Sequence, residues 1–293
     1  MTVLLHSVGF GLVAAAIIAL GSVAFSLQFS VTTTPNFAHG DILTIGAYAA
    51  LGAQTLTHSL AAEVIAAVVA GGLAASVLNL ALMEPFLKLR APRISIFLVT
   101  VVFGLVAQNV ILIIFGGSPS TFQLPTSGLL HVGPFLWTNV DIETMISAVI
   151  ILGALHLVLR YTKFGKSLRA VSDNPELARV TGVPYRRVVR ITWLLDGMMA
   201  GFAGFILAAY VGGLTPTLGF SYLVVIFAAS VVGGLGRPYG TALGALVIGL
   251  AMQVASAYVP PDYSESVAFG LLIVALLIRP QGIFRAEIWN FAE

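Results

Sequence analysis

The chain has 293 residues, 58% of them hydrophobic and only 9% charged, with 14 Lys and Arg, 12 Asp and Glu, and no cysteine. Soluble domains carry about a quarter charged residues, so this composition, with a mean hydropathy of +1.01, is that of an integral membrane protein. The missing cysteines exclude disulfides, thiolate metal sites and cysteine nucleophiles, and a net charge of +2 gives no reason to expect nucleic acid as a partner.

Taken in chain order, apolar runs fall near residues 7–28, 38–57, 61–82, 94–115, 142–159, 191–211, 220–235, 240–258 and 265–278. Several reach the roughly 18 to 20 residues needed to cross a hydrocarbon core. Unalternating runs satisfy their own backbone groups in lipid only as helices. The prediction is an all-α, polytopic transmembrane helical bundle of about nine spans, forming a single domain over residues 1–293. Eight or ten spans are also compatible, because 220–235 suits a re-entrant pair.

Positive residues are retained on the cytoplasmic side of short loops. Lys88, Arg90 and Arg93 share one loop, and eight of the 14 basic residues lie between 160 and 190. The connection from Gly116 to Glu143 has no Lys or Arg, and VPPDYSE at 259–265 is acidic. These points predict an external N-terminus and a cytoplasmic C-terminus. Gly71 and Gly72, Gly201 and Gly204, and Gly240 and Gly244 recur at spacings that let helices approach closely.

The loop at 161–190 contains SLRAVSDNPELARVTGVPYRRVV. Asn174 suits an N-cap, Pro175 a first helical position and Glu176 the positive helix end. Gly182 is placed to close the helix in a left-handed conformation, with Pro184 preventing continuation. A helix of seven or eight residues is unstable alone in water. It therefore leans on the membrane surface or on a partner, with Leu177, Val180 and Thr181 as a small docking face.

Within TTTPNFAHGD at 32–41, Thr34 can cap and Pro35 can start a helix, placing Asn36, His39 and Gly40 on one face and Asp41 six residues past Pro35, roughly 9 Å along the helix. A helix N-terminus pointing into the bundle suits a carboxylate-bearing solute. A polar helix start that packs on its neighbours is the competing reading. Gln108 and Asn109 are adjacent amides in the middle of an apolar run, and serve either to line a pathway or to join helices. Asp196 is expected to pair with Arg190, and Glu63 to sit at the interface.

There is no GxxxxGK[ST] loop for nucleotide, no HExxH, no GxSxG, no TVGYG-like filter and no regular arginine series. The five histidines lack metal-ligand spacing. The expected role is therefore transport, with no catalytic residue and no cofactor in this chain. A self-sufficient carrier using Asp41 and His39 as a proton relay is the alternative.

NFAHGDILTIGAY at 36–48, AQNVILIIFGG at 107–117, GKSLRAVSDNPELARVTGVP at 165–184, GGLGRPYGTALGALVIGL at 233–250 and RPQGIF at 279–284 together resemble the LivH-type permeases of branched-chain amino acid ABC importers. Thr34 and Pro35 depart from the pattern, where larger apolar residues are expected. The resemblance implies a multi-pass inner-membrane subunit that moves small amino acids inward by alternating access. It also implies a companion LivM-type permease, two cytoplasmic ABC ATPases holding ATP and magnesium, an extracytoplasmic solute-binding protein, and membrane lipid around the bundle. The family also includes urea and amide importers. By the same resemblance, Asp173, Asn174, Pro175, Glu176, Leu177, Ala178 and Gly182 form the coupling helix that fits an ATPase. The candidate pathway residues are Asn36, His39, Gly40, Asp41, Gln108 and Asn109.

Overall fold

The computed structural model describes residues 2–89, 91–122, 128, 130–132, 135–260, 263–278 and 282. Arg90, Asp262, Arg279, Arg285 and RPQGIF apart from Gly282 lie outside the described residues, as does the side chain of Arg93. The chain is mostly helical. Its helices are α1 (Thr2–Thr32), α2 (His39–Thr57), α3 (Leu60–Val77), α4 (Glu84–Lys88), α5 (Arg93–Phe115), α6 (Asn139–Tyr161), α7 (Lys163–Asp173), α8 (Pro175–Val180), α9 (Tyr185–Val211), α10 (Leu218–Gly233), α11 (Pro238–Ser256) and α12 (Ser264–Ile278). A π-helical turn at Leu78–Met83 joins α3 to α4. Between α5 and α6, β1 (Leu130–Val132) and β2 (Phe135–Trp137) form an antiparallel hairpin in which Leu130 faces Trp137.

Each predicted apolar run falls on a helix. Among the described residues, six helices are long and apolar enough to cross a membrane, and α10 and α12 are shorter apolar helices. α1 and α9 run through the interior: their apolar stretches are 78% and 67% buried, against 22% for α5 and α6. The outer helices present large side chains such as Ile113 and Val149 outward, 82% and 72% exposed. A soluble bundle would bury these groups, whereas lipid solvates them at no penalty.

Without a hydrophobic drive between helices, close backbone packing holds the bundle together. A Cβ at Gly46 would overlap the backbone of Gly201, and one at Gly71 would overlap Gly197 and Gly201. The same holds for Gly204 on Leu43 and for Gly244 on Ala229. The small-residue spacings in the sequence thus mark the helix contacts α2–α9, α3–α9 and α10–α11.

The connections sort into two ends. At one, the α5–α6 connection meets the α9–α10 link through paired backbone bonds, with Ser120 N donating to Leu214 O at 3.0 Å and Leu214 N to Ser120 O at 2.7 Å. Phe135 and Trp137 of the hairpin crowd Gly9 of α1 at that same end. At the other, Arg190 at the start of α9 grips Glu84 of α4 with bonds of 2.6 and 2.9 Å. There, too, Phe29 and Ser30 of α1 share a hollow with Leu168, Arg169 and Gly236.

Candidate functional site

The polar stretch at 32–41 is built differently from the expectation. α2 begins at His39, not Pro35. Thr33 takes a positive φ of 53°, and Asn36 Oδ1 accepts from Ala38 N at 3.1 Å. Asn36 is therefore the turn former, as Asn side chains offer the backbone a local alternative to helix. It precedes the helix and does not share a helical face with His39 and Gly40.

The segment between α1 and α2 also turns back into the protein. His39 Nε2 lies 3.0 Å from the carbonyl oxygen of Gly21, three turns before the end of α1 and so roughly 16 Å along its axis. The α2 N-terminus thus lies inside the bundle. Asn36, His39 and Asp41 are 1%, 0% and 2% exposed.

A carbonyl only accepts, so Nε2 of His39 carries its hydrogen. The other nitrogen, Nδ1, sits 3.1 Å from Oδ1 of Asp196 on α9. The approach is close but poorly aligned for a hydrogen bond, and both side chains are fully buried. Desolvating a lone carboxylate is so unfavourable that the two groups belong together as a pair. One imidazole thereby joins α1, α2 and α9, with Phe25 edge-on to it at 5.4 Å.

Asp196 therefore does not pair with Arg190. Six residues on an α-helix turn the side chain through about 240° past whole turns, which puts the two on different faces. Arg190 instead bonds Glu84. Glu63, in the first turn of α3, is 3% exposed and accepts from Gln54 Nε2 at 3.2 Å, joining α2 to α3.

Asp41 and Gln108 come together. Gln108 Nε2 donates to Asp41 Oδ1 at 2.7 Å, and Gly104, one turn earlier on α5, leaves the space that the carboxylate fills. Phe37 N donates to Thr100 Oγ1 at 3.2 Å, so α5 supports this segment at three successive turns. Gly40 lies against Gly219 at the start of α10, and Gly219 N donates to Thr44 Oγ1 at 3.0 Å. Asn109 points the other way, exposed and bonded to its own helix at Leu105 O. His39 and Asp41 face different neighbours.

Near the opposite end of α9, Asn174 Oδ1 accepts from the N–H groups of Glu176 and Leu177 at 3.1 and 2.9 Å, which caps α8. Gly182 has φ +86°, and Val183 N closes on Ala178 O at 2.9 Å. Leu177 and Val180 are 59% and 85% exposed, whereas Ala178 is buried. Asp173, Pro175 and Glu176 are exposed around them. α7, which has no counterpart among the predicted elements, seats α8 on the bundle through buried Gly165, Leu168 and Val171. Their spacing of three was the available signal, masked by the surrounding charges.

Residues 7–276 match the family described as branched-chain amino acid transport system / permease component. The chain belongs to this family. Over 285 residues it is 27% identical to the high-affinity branched-chain amino acid transport system permease protein LivH of Escherichia coli (strain K12), covering 92% of each chain. It is equally identical to the probable LivH permease of Methanocaldococcus jannaschii, covering 91% of this chain and 88% of that one. Among solved structures, PsaBC from Streptococcus pneumoniae in complex with Fab aligns with a TM-score of 0.53 at 14% identity, covering 94% and 93% of the two chains. That likeness shows a shared fold. As a permease of this family the chain is a membrane transport subunit, and the polar set around α2 lies at the centre of its helix packing.

Proposed function

We propose that this permease is one membrane half of an importer that moves branched-chain amino acids, or closely related small amino acids and amides, into the cell. Energy comes from separate cytoplasmic ATPases with ATP and magnesium, a binding protein delivers the solute from outside, and a companion permease completes the path. The observation that carries the reading is α8. In a chain matching this family from residue 7 to 276, a helix capped at both ends offers Leu177 and Val180 away from the bundle.

In this reading α1, α2, the α3–α4 helix, α5, α6, α9, α10, α11 and α12 are the crossings, nine among the described residues. The end bearing Glu84, Arg190 and α8 is cytoplasmic, and the end bearing the Ser120–Leu214 bridge is external. Each loop then lies on the side its charges require. Asn36, His39, Gly40, Asp41 and Gln108 set the position of α2 beside the path, so they act on the solute through that helix. Asn109 faces outward, toward the companion chain or lipid.

Reconstitution with the ATPases, companion permease and binding protein tests the reading. ATP-dependent uptake of labelled leucine, absent when any partner is omitted, is expected. Uptake by this chain alone under a proton gradient would overturn it.

A further inference from the structure

A cleft of about 1040 Å³ opens between α4 and the start of α9, beside α8. Its mouth carries Lys88, Arg179, Arg186, Arg187 and Arg190 against one carboxylate, Glu84. Glu84 is gripped by Nε and Nη2 of Arg190 and also lies in the field of Lys88 and Arg186, so one carboxylate stands against five cations among the described lining. Arg179 lies 4.0 Å over the ring of Tyr185, a contact that leaves its charge intact.

The floor is polar in an unusual way. Asn79 is 1% exposed, yet neither its Oδ1 nor its Nδ2 bonds any described protein atom. Buried amides are almost always satisfied, and an orphan of this kind points to a missing partner. Asn79 also belongs to the π-helical turn at Leu78–Met83, a local widening frequent at functional sites. The same helix carries Val77, Leu80 and Leu87 on its exposed side. Cations at the mouth, an unpaired amide below them and apolar side chains alongside fit an amphipathic ligand with a negative head.

We propose that this cleft binds a phosphate-bearing anion presented by an anionic phospholipid, with the phosphate among Lys88, Arg186 and Arg187 and the glycerol ester region against Asn79. Basic pockets between membrane helices recognise headgroups through this combination of charge and shape. The ligand borders α8 and so sits beside the element proposed to engage an ATPase. The inference rests on placing this end at a membrane surface.

The test uses the purified permease in nanodiscs of phosphatidylcholine with a minor fraction of phosphatidylglycerol, with retained lipid counted by native mass spectrometry. Wild type is expected to retain phosphatidylglycerol over phosphatidylcholine by about tenfold, and the triple variant Lys88→Gln/Arg186→Gln/Arg187→Gln to fall to parity. Lys163→Gln/Lys166→Gln, neutralised elsewhere on the same end, should keep the preference. Asn79→Ala, which changes no charge, should reduce it several-fold. Equal retention by wild type and the triple variant, or equal losses from the two sets of neutralisations, would overturn the site. Inorganic phosphate added to phosphatidylcholine nanodiscs separates the sources: a thermal shift matching that given by phosphatidylglycerol would overturn the lipid. Unfolding temperatures in phosphatidylcholine alone confirm that the variants fold, and Arg187→Gln alone replaces the triple variant if it does not. Lipid retention is blind to orientation and to transport, so its failure is distinct from failure of the importer reading.

Discussion

At the scale of single residues, the His39 ring does the work that a larger polar network does in a soluble core. It meets Gly21 of α1 and Asp196 of α9 from the first turn of α2. Removing one member of a buried pair strands the other, typically at about 3–5 kcal/mol. His39→Leu should therefore lower the unfolding temperature strongly in a detergent melt, and His39→Leu/Asp196→Leu should recover part of that loss. Strictly additive losses would show that the two groups are not coupled. Glycine gives a second test. Gly46→Ala drives a methyl into the Gly201 backbone and should destabilise by about 1–3 kcal/mol. Gly153 has open space around it, and Gly153→Ala on exposed α6 should be neutral or stabilising by up to about 1 kcal/mol.

At the scale of elements, α8 separates what faces the bundle from what faces away. Leu177 and Val180 are available to a partner, whereas Ala178 is buried against the chain and Val183 closes over it. Leu177→Asp/Val180→Asp should leave expression and thermal stability unchanged while abolishing the stimulation of ATPase activity by loaded binding protein in the reconstituted complex. A bulky residue at 178 should instead lower stability, because it must displace α8. Undiminished stimulation in the Leu177/Val180 variant would remove the basis for assigning α8 to coupling. The caps of this helix were legible beforehand because capping is local chemistry: Asn174, Pro175 and Gly182 lie within nine residues. The true start of α2 was not, because Thr34–Pro35 offers an equally good local start. Asn36 wins by turning the backbone toward partners on α1, α5 and α9 that are distant in sequence.

For the whole molecule, each apolar run read off the chain falls on a helix, since run length and hydropathy are enough to mark a helix in lipid, though α1 and α9 start five and six residues before their runs. The pairing of those helices was only partly legible. Glycine spacing located the contacts, but Asp41 with Gln108 and Glu84 with Arg190 are 67 and 106 positions apart. Nothing in the local pattern joins them. Sidedness is directly measurable because the chain has no cysteine. A single cysteine at Ser172 should react with a membrane-impermeant thiol reagent only after the cells are opened, and one at Ser118 should react in intact cells. The reverse pattern would invert the proposed orientation.

The bridge between Ser120 and Leu214 is made by main-chain atoms alone. It therefore tolerates any side chain at 120 and 214 that keeps the backbone N–H and its conformation. It also fastens the cap after α5 to the link between α9 and α10, so an outward swing of α9 carries that cap with it. On the proposed orientation this bridge ties two external connections into one unit, and α9 runs from it to the same end of the molecule as α8.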